Sequence, residues 1–124
     1  MATILVVDDD SANRLLIAAV LAPRGHDVRE ACDGADALRA IATDEPDLIV
    51  LDLSMSGMGG VAFLKTLRNG GHGGTPVVLY TATQPDAALR DLMTLFNVAS
   101  VLPKPSEPAE IVRILEGALS RGPD

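Results

Sequence analysis

Aromatic side chains are nearly missing from this chain of 124 residues: there is no Trp, one Tyr and two Phe. The core must therefore be aliphatic, and a hydrophobic share of 48% supplies it and excludes a disordered chain. Cysteine is reduced to Cys32, so no internal disulfide is available. A reducing compartment fits, and Cys32 is expected as a small residue ending a half-buried strand. Basic residues number 10 against 17 acidic ones, a net charge of −7 that nucleic acid and anionic membranes would repel. No run approaches the ~20 apolar residues of a membrane helix, and the first residues lack the basic start and long apolar stretch of a secretory leader. The expectation is a cytoplasmic protein, one domain over residues 1–124, without membrane or direct nucleic-acid contact.

What is present is an alternation of strand-like and helix-like stretches. Ile4–Val7 and Leu48–Leu51 are continuous aliphatic runs, the pattern of strands buried on both faces. Asp27–Ala31 is mixed in polarity and suits an edge strand, while 76–80 and 98–102 complete five strands. Helices are expected over 12–22, 35–42, 61–68, 85–96 and 107–120. The first, capped by Asp10 or Ser11, has Leu15, Leu16, Ala19 and Val20 at helical spacing; the last has Ile111, Ile114, Leu115 and Leu119 on one face. Strands alternating with helices imply a parallel sheet.

Chemistry collects at the strand ends. Asp8-Asp9-Asp10 follows the first run, Asp52 the third, Thr81 ends the fourth strand and Lys104-Pro105 follows the fifth. In a parallel sheet these ends open onto one crevice, where ligands bind. Each residue has a duller explanation: an acidic turn or cap, a β-branched strand residue, a solvated lysine. Together, three carboxylates facing one another call for a divalent cation and an anionic substrate, and an oxygen-rich cluster suits Mg²⁺. Neighbouring residues at a strand end point to opposite sides, so one of Asp8 and Asp9 is expected at the metal and the other behind a water. A carboxylate beside a metal is a competent nucleophile toward phosphorus, which gives Asp52 its role. The Thr81 hydroxyl and the Lys104 ammonium would meet phosphoryl oxygens, and the Lys-Pro bond permits a cis peptide that aims the ammonium inward.

The segments Val6-Val7-Asp8-Asp9, Asp47–Asp52, Thr81-Ala82 and Lys104-Pro105, in that order, resemble the receiver domain of two-component response regulators over essentially the whole chain. The resemblance implies a doubly wound, flavodoxin-like fold with five parallel strands in the order 2-1-3-4-5, flanked by five helices. It implies Asp52 as phosphoacceptor and Asp8, Asp9 and Asp52 as metal ligands, Asp9 the more direct of the acidic pair. The Ser54 backbone carbonyl would be a further ligand to Mg²⁺, or to Mn²⁺ in its place, and Thr81 and Lys104 would contact the phosphoryl group. Such a protein is a phosphorelay component rather than an enzyme, catalysing only its own phosphorylation and dephosphorylation. Its donor would be a sensor histidine kinase or a histidine phosphotransfer protein. Its output would be an unidentified protein partner, or a homodimer, at the face of the fourth helix, fifth strand and fifth helix.

Two departures stand out. Val101 occupies the position, three before Lys104, where this family often has Tyr or Phe, and valine cannot perform an aromatic rotamer switch. In Met55-Ser56-Gly57-Met58-Gly59-Gly60 the usual Pro and Asp are replaced by Ser56 and Gly59, which should loosen the loop until metal and phosphate order it. Tyr80, beside Thr81, is expected on the opposite side of the strand, exposed or half-buried. His72 and His26 read as solvated turn residues. Rival readings are a phosphorylation-independent receiver serving as an interaction module and a receiver cut from a hybrid kinase. Poorer fits are an aspartate-nucleophile phosphatase of the haloacid dehalogenase type, which has a second Asp where Ser54 stands, and a nucleotide binder, whose phosphate Asp8-Asp9-Asp10 would repel.

Overall fold

The computed structural model describes residues 2–53, 55, 58–71, 74–82 and 86–121. Five strands, β1 (Thr3–Val7), β2 (Asp27–Ala31), β3 (Leu48–Leu51), β4 (Val77–Thr81) and β5 (Ser100–Pro103), form one parallel sheet in the order β2-β1-β3-β4-β5. Five α-helices alternate with them: α1 (Ser11–Leu21), α2 (Gly34–Thr43), α3 (Gly60–Asn69), α4 (Ala87–Leu95) and α5 (Pro108–Arg121). The chain runs outward from β1 to β2, then returns to place β3 on the other side of β1. That reversal makes the carboxyl ends of β1 and β3 the switch point of the fold, where a crevice opens.

Both faces of the sheet are covered, which is why β1 and β3 read as unbroken aliphatic runs. Ile4, Val6, Leu48, Val50, Val78 and Leu102 pack with Ile17 and Leu21 of α1 and with Ile111, Leu115 and Ala118 of α5. The alternate residues Leu5, Val7, Ile49, Leu51, Val77 and Leu79 pack with α2, α3 and Leu89 of α4, around the fully buried Phe63. Leu89 is the one buried residue of α4, with Leu92 and Met93 half-buried against the same core.

Capping fixes the helix starts. The Asp10 side chain accepts from the Ala12 N–H, Asp33 from that of Asp36 and Asp86 from that of Leu89. Arg68, near the end of α3, donates to the carbonyls of Thr75, Phe96 and Asn97 and so ties α3 to the two loops that precede β4 and β5. Burial lowers its pKa below the ordinary arginine value.

Four sequence expectations are corrected. The α1 core stripe is Ile17 and Leu21, while Leu15 and Leu16 are 67% and 38% exposed. Two apolar stripes overlap on this helix, and the one facing the sheet is set by its docking against α5. His26 is not solvated: its Nδ1 accepts from the Ala2 N–H and its Nε2 lies 3.0 Å from Glu116 of α5. Arg24 grips the same carboxylate, at 2.6 and 2.8 Å. Cys32 is exposed, one residue past β2. Tyr80 is buried, with 2% of its surface exposed, because the opposite side of β4 meets α1 and α5 and not solvent. His72 lies outside the described residues. No helix among those described is long and apolar enough to cross a membrane.

Candidate metal and phosphoryl site

The parallel ladder continues one step beyond the strands and seats the two central carboxylates. The Asp52 N–H donates to the carbonyl of Val7, the last residue of β1, at 2.9 Å, and the Asp8 N–H donates to Ala31, the last of β2, at 3.1 Å. Asp8 is 1% and Asp52 6% exposed, whereas Asp9 is open to solvent. One carboxylate oxygen from each of Asp8, Asp9 and Asp52 lies within 4.8 Å of the others. The adjacent residues Asp8 and Asp9 thus both reach one point, closer together than strand alternation alone implies, because the strand has already ended. Three oxygens of this spacing, two of them buried, fit a hard divalent ion that keeps part of its water shell. Ser54, the remaining ligand implied by the resemblance, lies outside the described residues, as do positions 56 and 57 of its loop.

Lys104 supplies the opposing charge. Its Nζ is 3.0 Å from Asp8 Oδ2 and 3.5 Å from Asp52 Oδ2. The Lys104 N–H donates to the Thr81 carbonyl at 3.0 Å, and the Lys104–Pro105 peptide is cis. Burial is the largest influence on its pKa and pulls it down. The hydrogen bond to Asp8 and the charges of Asp52 and Asp8 together outweigh it, holding the group above the ordinary lysine value. Thr81 is 3% exposed at the end of β4. The five residues with side-chain roles anticipated from sequence, Asp8, Asp9, Asp52, Thr81 and Lys104, all come from the carboxyl ends of β1, β3, β4 and β5.

Two neighbours were not anticipated. Arg14 donates from Nη1 to the Asp8 carbonyl at 2.6 Å and from Nε to Glu30 of β2 at 2.9 Å, which ties the acidic turn to the edge strand. Its signal was an arginine one turn into α1. Tyr80 places its ring beneath Lys104, with Nζ 4.8 Å from the ring centroid. Burial pushes the Tyr80 phenol above its ordinary value, with the Lys104 charge pulling against this. Below Asp52, α3 begins with Gly60 pressed on the strand end: a Cβ there would lie 2.7 Å from Leu53 Cα and 3.0 Å from the Asp52 carbonyl oxygen. Only glycine permits that approach.

A doubly wound sheet with carboxylates at its switch point and a lysine across the crevice can hold a divalent cation and meet an anionic group. The family model of the response regulator receiver domain matches residues 4–116, and the chain belongs to that family, the receivers of two-component signalling. Phosphorylation on an aspartate is general to it. Over 121 residues the chain is 35% identical to the DNA-binding response regulator MtrA of Mycobacterium tuberculosis, covering 98% of this chain and 52% of MtrA. It is 36% identical over 116 residues to the DNA-binding transcriptional regulator NtrC of Escherichia coli, covering 93% of this chain and 24% of NtrC. The chain therefore spans about half the length of the one relative and about a quarter of the other. Among solved structures, the chemotaxis protein CheY4 of Vibrio cholerae is similar with a TM-score of 0.88 at 27% identity, over 95% of this chain and 98% of that one. The receiver domain of NtrX from Brucella abortus follows with 0.84 at 29%, over 94% and 98%.

Proposed function

We propose that this chain, as one domain over residues 1–124, accepts a phosphoryl group on Asp52 from a phosphohistidine of a sensor kinase or phosphotransfer protein. The observation that carries this is the meeting of Asp8, Asp9 and Asp52 within 4.8 Å of one another under a lysine 3.0 and 3.5 Å from two of them. An Asp52 oxygen forms the new O–P bond as the P–N bond to the donor imidazole breaks, and the imidazole nitrogen leaves with a proton. Hydrolysis later breaks the O–P bond, releases phosphate and restores the carboxylate. Asp8, Asp9, Asp52 and the Ser54 carbonyl would hold Mg²⁺ or Mn²⁺, which supplies positive charge against the phosphoryl oxygens when bound. Lys104 exchanges its contact with Asp8 for a phosphoryl oxygen, and the Thr81 hydroxyl donates to another. No other substrate is turned over, so the chain is a switch and not an enzyme in the usual sense.

Phosphorylation then shifts an equilibrium at the face of α4, β5 and α5, changing affinity for a protein partner or a second copy in the cytoplasm. Only Leu89 of α4 is fully buried, with Leu92 and Met93 half-buried beside it, which supports movement there. A phosphorylation-independent module is the second reading, favoured by Val101, which packs half-buried against the α2–α4 core and has no ring to turn. Intact mass after incubation with acetyl phosphate separates the two. A gain of one phosphoryl group that requires Mg²⁺ and is lost in Asp52→Asn is expected; no gain in native protein that binds Mg²⁺ and is offered its kinase refutes the acceptor role.

A further inference from the structure

Tyr80 sits opposite Leu102 in the β4–β5 register, buried in the core between the sheet and α1 and α5. Its neighbour Thr81 holds the main chain of Lys104 through a 3.0 Å hydrogen bond, and the Tyr80 ring lies under the ammonium of the same lysine. The last two residues of β4 thus grip Lys104 at both ends, one by a carbonyl and one by a ring face. A cation is drawn to the negative face of an aromatic ring, more strongly where water is scarce, and the Lys104 side chain is only 19% exposed.

The ring also differs in kind from the lysine's other contacts. Asp8 and Asp52 are anions whose environment changes when metal and phosphoryl group arrive. The ring carries no net charge and competes with neither, so it can hold the ammonium while its carboxylate partners change. A lysine is a point charge on a flexible stem, and its use against a phosphoryl group depends on being in place beforehand. An aliphatic side chain would fill the core at position 80 without offering a ring face.

We propose that Tyr80 is a positioning residue for Lys104, its ring holding the ammonium between Asp8 and Asp52 so that the lysine meets the incoming phosphoryl group in place. This rests on the reading of Asp52 as phosphoryl acceptor.

The test uses the full chain as native protein, Tyr80→Phe and Tyr80→Leu. Three quantities are followed: the rate of Mg²⁺-dependent phosphoryl gain from acetyl phosphate, Mg²⁺ affinity, and the NMR shifts of the Lys104 methylene protons next to Nζ. Tyr80→Leu is expected to slow the gain ~3- to 30-fold, the equivalent of a desolvated cation–ring contact, with Mg²⁺ affinity no weaker than native. Tyr80→Phe is expected to rescue the rate. The lysine protons are expected upfield, from the ring current, in the native and Phe proteins and at their ordinary position in the Leu protein. A Leu protein phosphorylated at the native rate overturns the proposal, and so does a Phe protein as slow as the Leu one. If Tyr80→Leu does not fold, the native and Phe proteins decide: lysine protons at their ordinary position overturn the proposal, and an upfield shift in both with matching rates upholds it. A native chain that takes up no phosphoryl group refutes the acceptor reading and with it this role, whereas normal uptake with an unslowed Leu variant refutes the positioning role alone.

Discussion

Lys104→Met removes one positive charge from the crevice while keeping the length of the stem, so the loss is electrostatic and not a cavity. Lys104 Nζ stands 3.0 Å from Asp8 and 3.5 Å from Asp52, carboxylates whose side chains are 1% and 8% exposed. At an effective dielectric of about 20, charges at such distances attract by ~5 kcal/mol per contact, before the cost of desolvation is set against it. Removing one partner of a buried pair costs ~3–5 kcal/mol, and Lys104 keeps 19% of its side chain in water, so we expect ~2–3 kcal/mol of destabilisation in metal-free buffer. At this chain length that lowers Tm by roughly 6–12 °C. Mg²⁺ is expected to change the outcome, because a metal held by Asp8 and Asp52 would neutralise the same carboxylates as the ammonium. Without its competitor the metal should bind about tenfold tighter, worth ~1.4 kcal/mol. At a Mg²⁺ concentration near 100 times the native Kd, native protein gains ~2.7 kcal/mol and the variant ~4.1, so about half of the loss is recovered. Urea titration followed by far-UV circular dichroism measures both, since the chain has no Trp for fluorescence. A loss equal with and without Mg²⁺, or a weaker metal affinity in the variant, refutes the competition between Lys104 and the metal.

Two adjacent glycines should respond in opposite directions. Gly59 is the N-cap of α3, has φ −74° and ψ 171°, makes no side-chain cap, and a Cβ there meets nothing within 4 Å; Gly59→Asp should stabilise by ~0.5–1 kcal/mol, read as a higher Tm. Gly60→Ala should cost ~1–3 kcal/mol and weaken Mg²⁺ binding, because its Cβ would push on the Leu53 backbone and the Asp52 carbonyl; unchanged metal affinity would count against that contact. Hydrogen bonds from Arg24, and then from His26, hold the Glu116 carboxyl at about 2 against an ordinary 4.5. A depressed carboxyl stabilises the fold above about 4.5, and that contribution is lost as pH falls toward about 2, so Glu116→Gln should lower Tm near neutral pH and match native protein at the acid end. A Tm difference that stays constant with pH would show the ion pair to be irrelevant.

The sequence by itself determined the elements and which charged residues stand at the strand ends. β1 and β3 announced themselves as aliphatic runs because strands covered on both faces carry no polar alternation, and the acids at their ends had to meet once the strands were parallel neighbours. Lys104 followed from its place after the fifth strand. Only the tertiary structure decided what lies opposite each side chain. Tyr80 points away from Thr81, as strand periodicity requires, but in a sheet covered on both faces the other side is a second core and not water. Periodicity assigns a side and says nothing of what covers it. On α1 two apolar stripes compete, and docking against α5 selected Ile17 and Leu21 and left Leu15 outside. His26 meets Glu116 across 90 positions of chain, a pairing that no local pattern records and that exists only because α5 returns along the edge of the first β-α unit. Local propensity and spacing are properties of neighbouring residues; the grip on Lys104 and the anchoring of α5 arise from surfaces that meet only after folding.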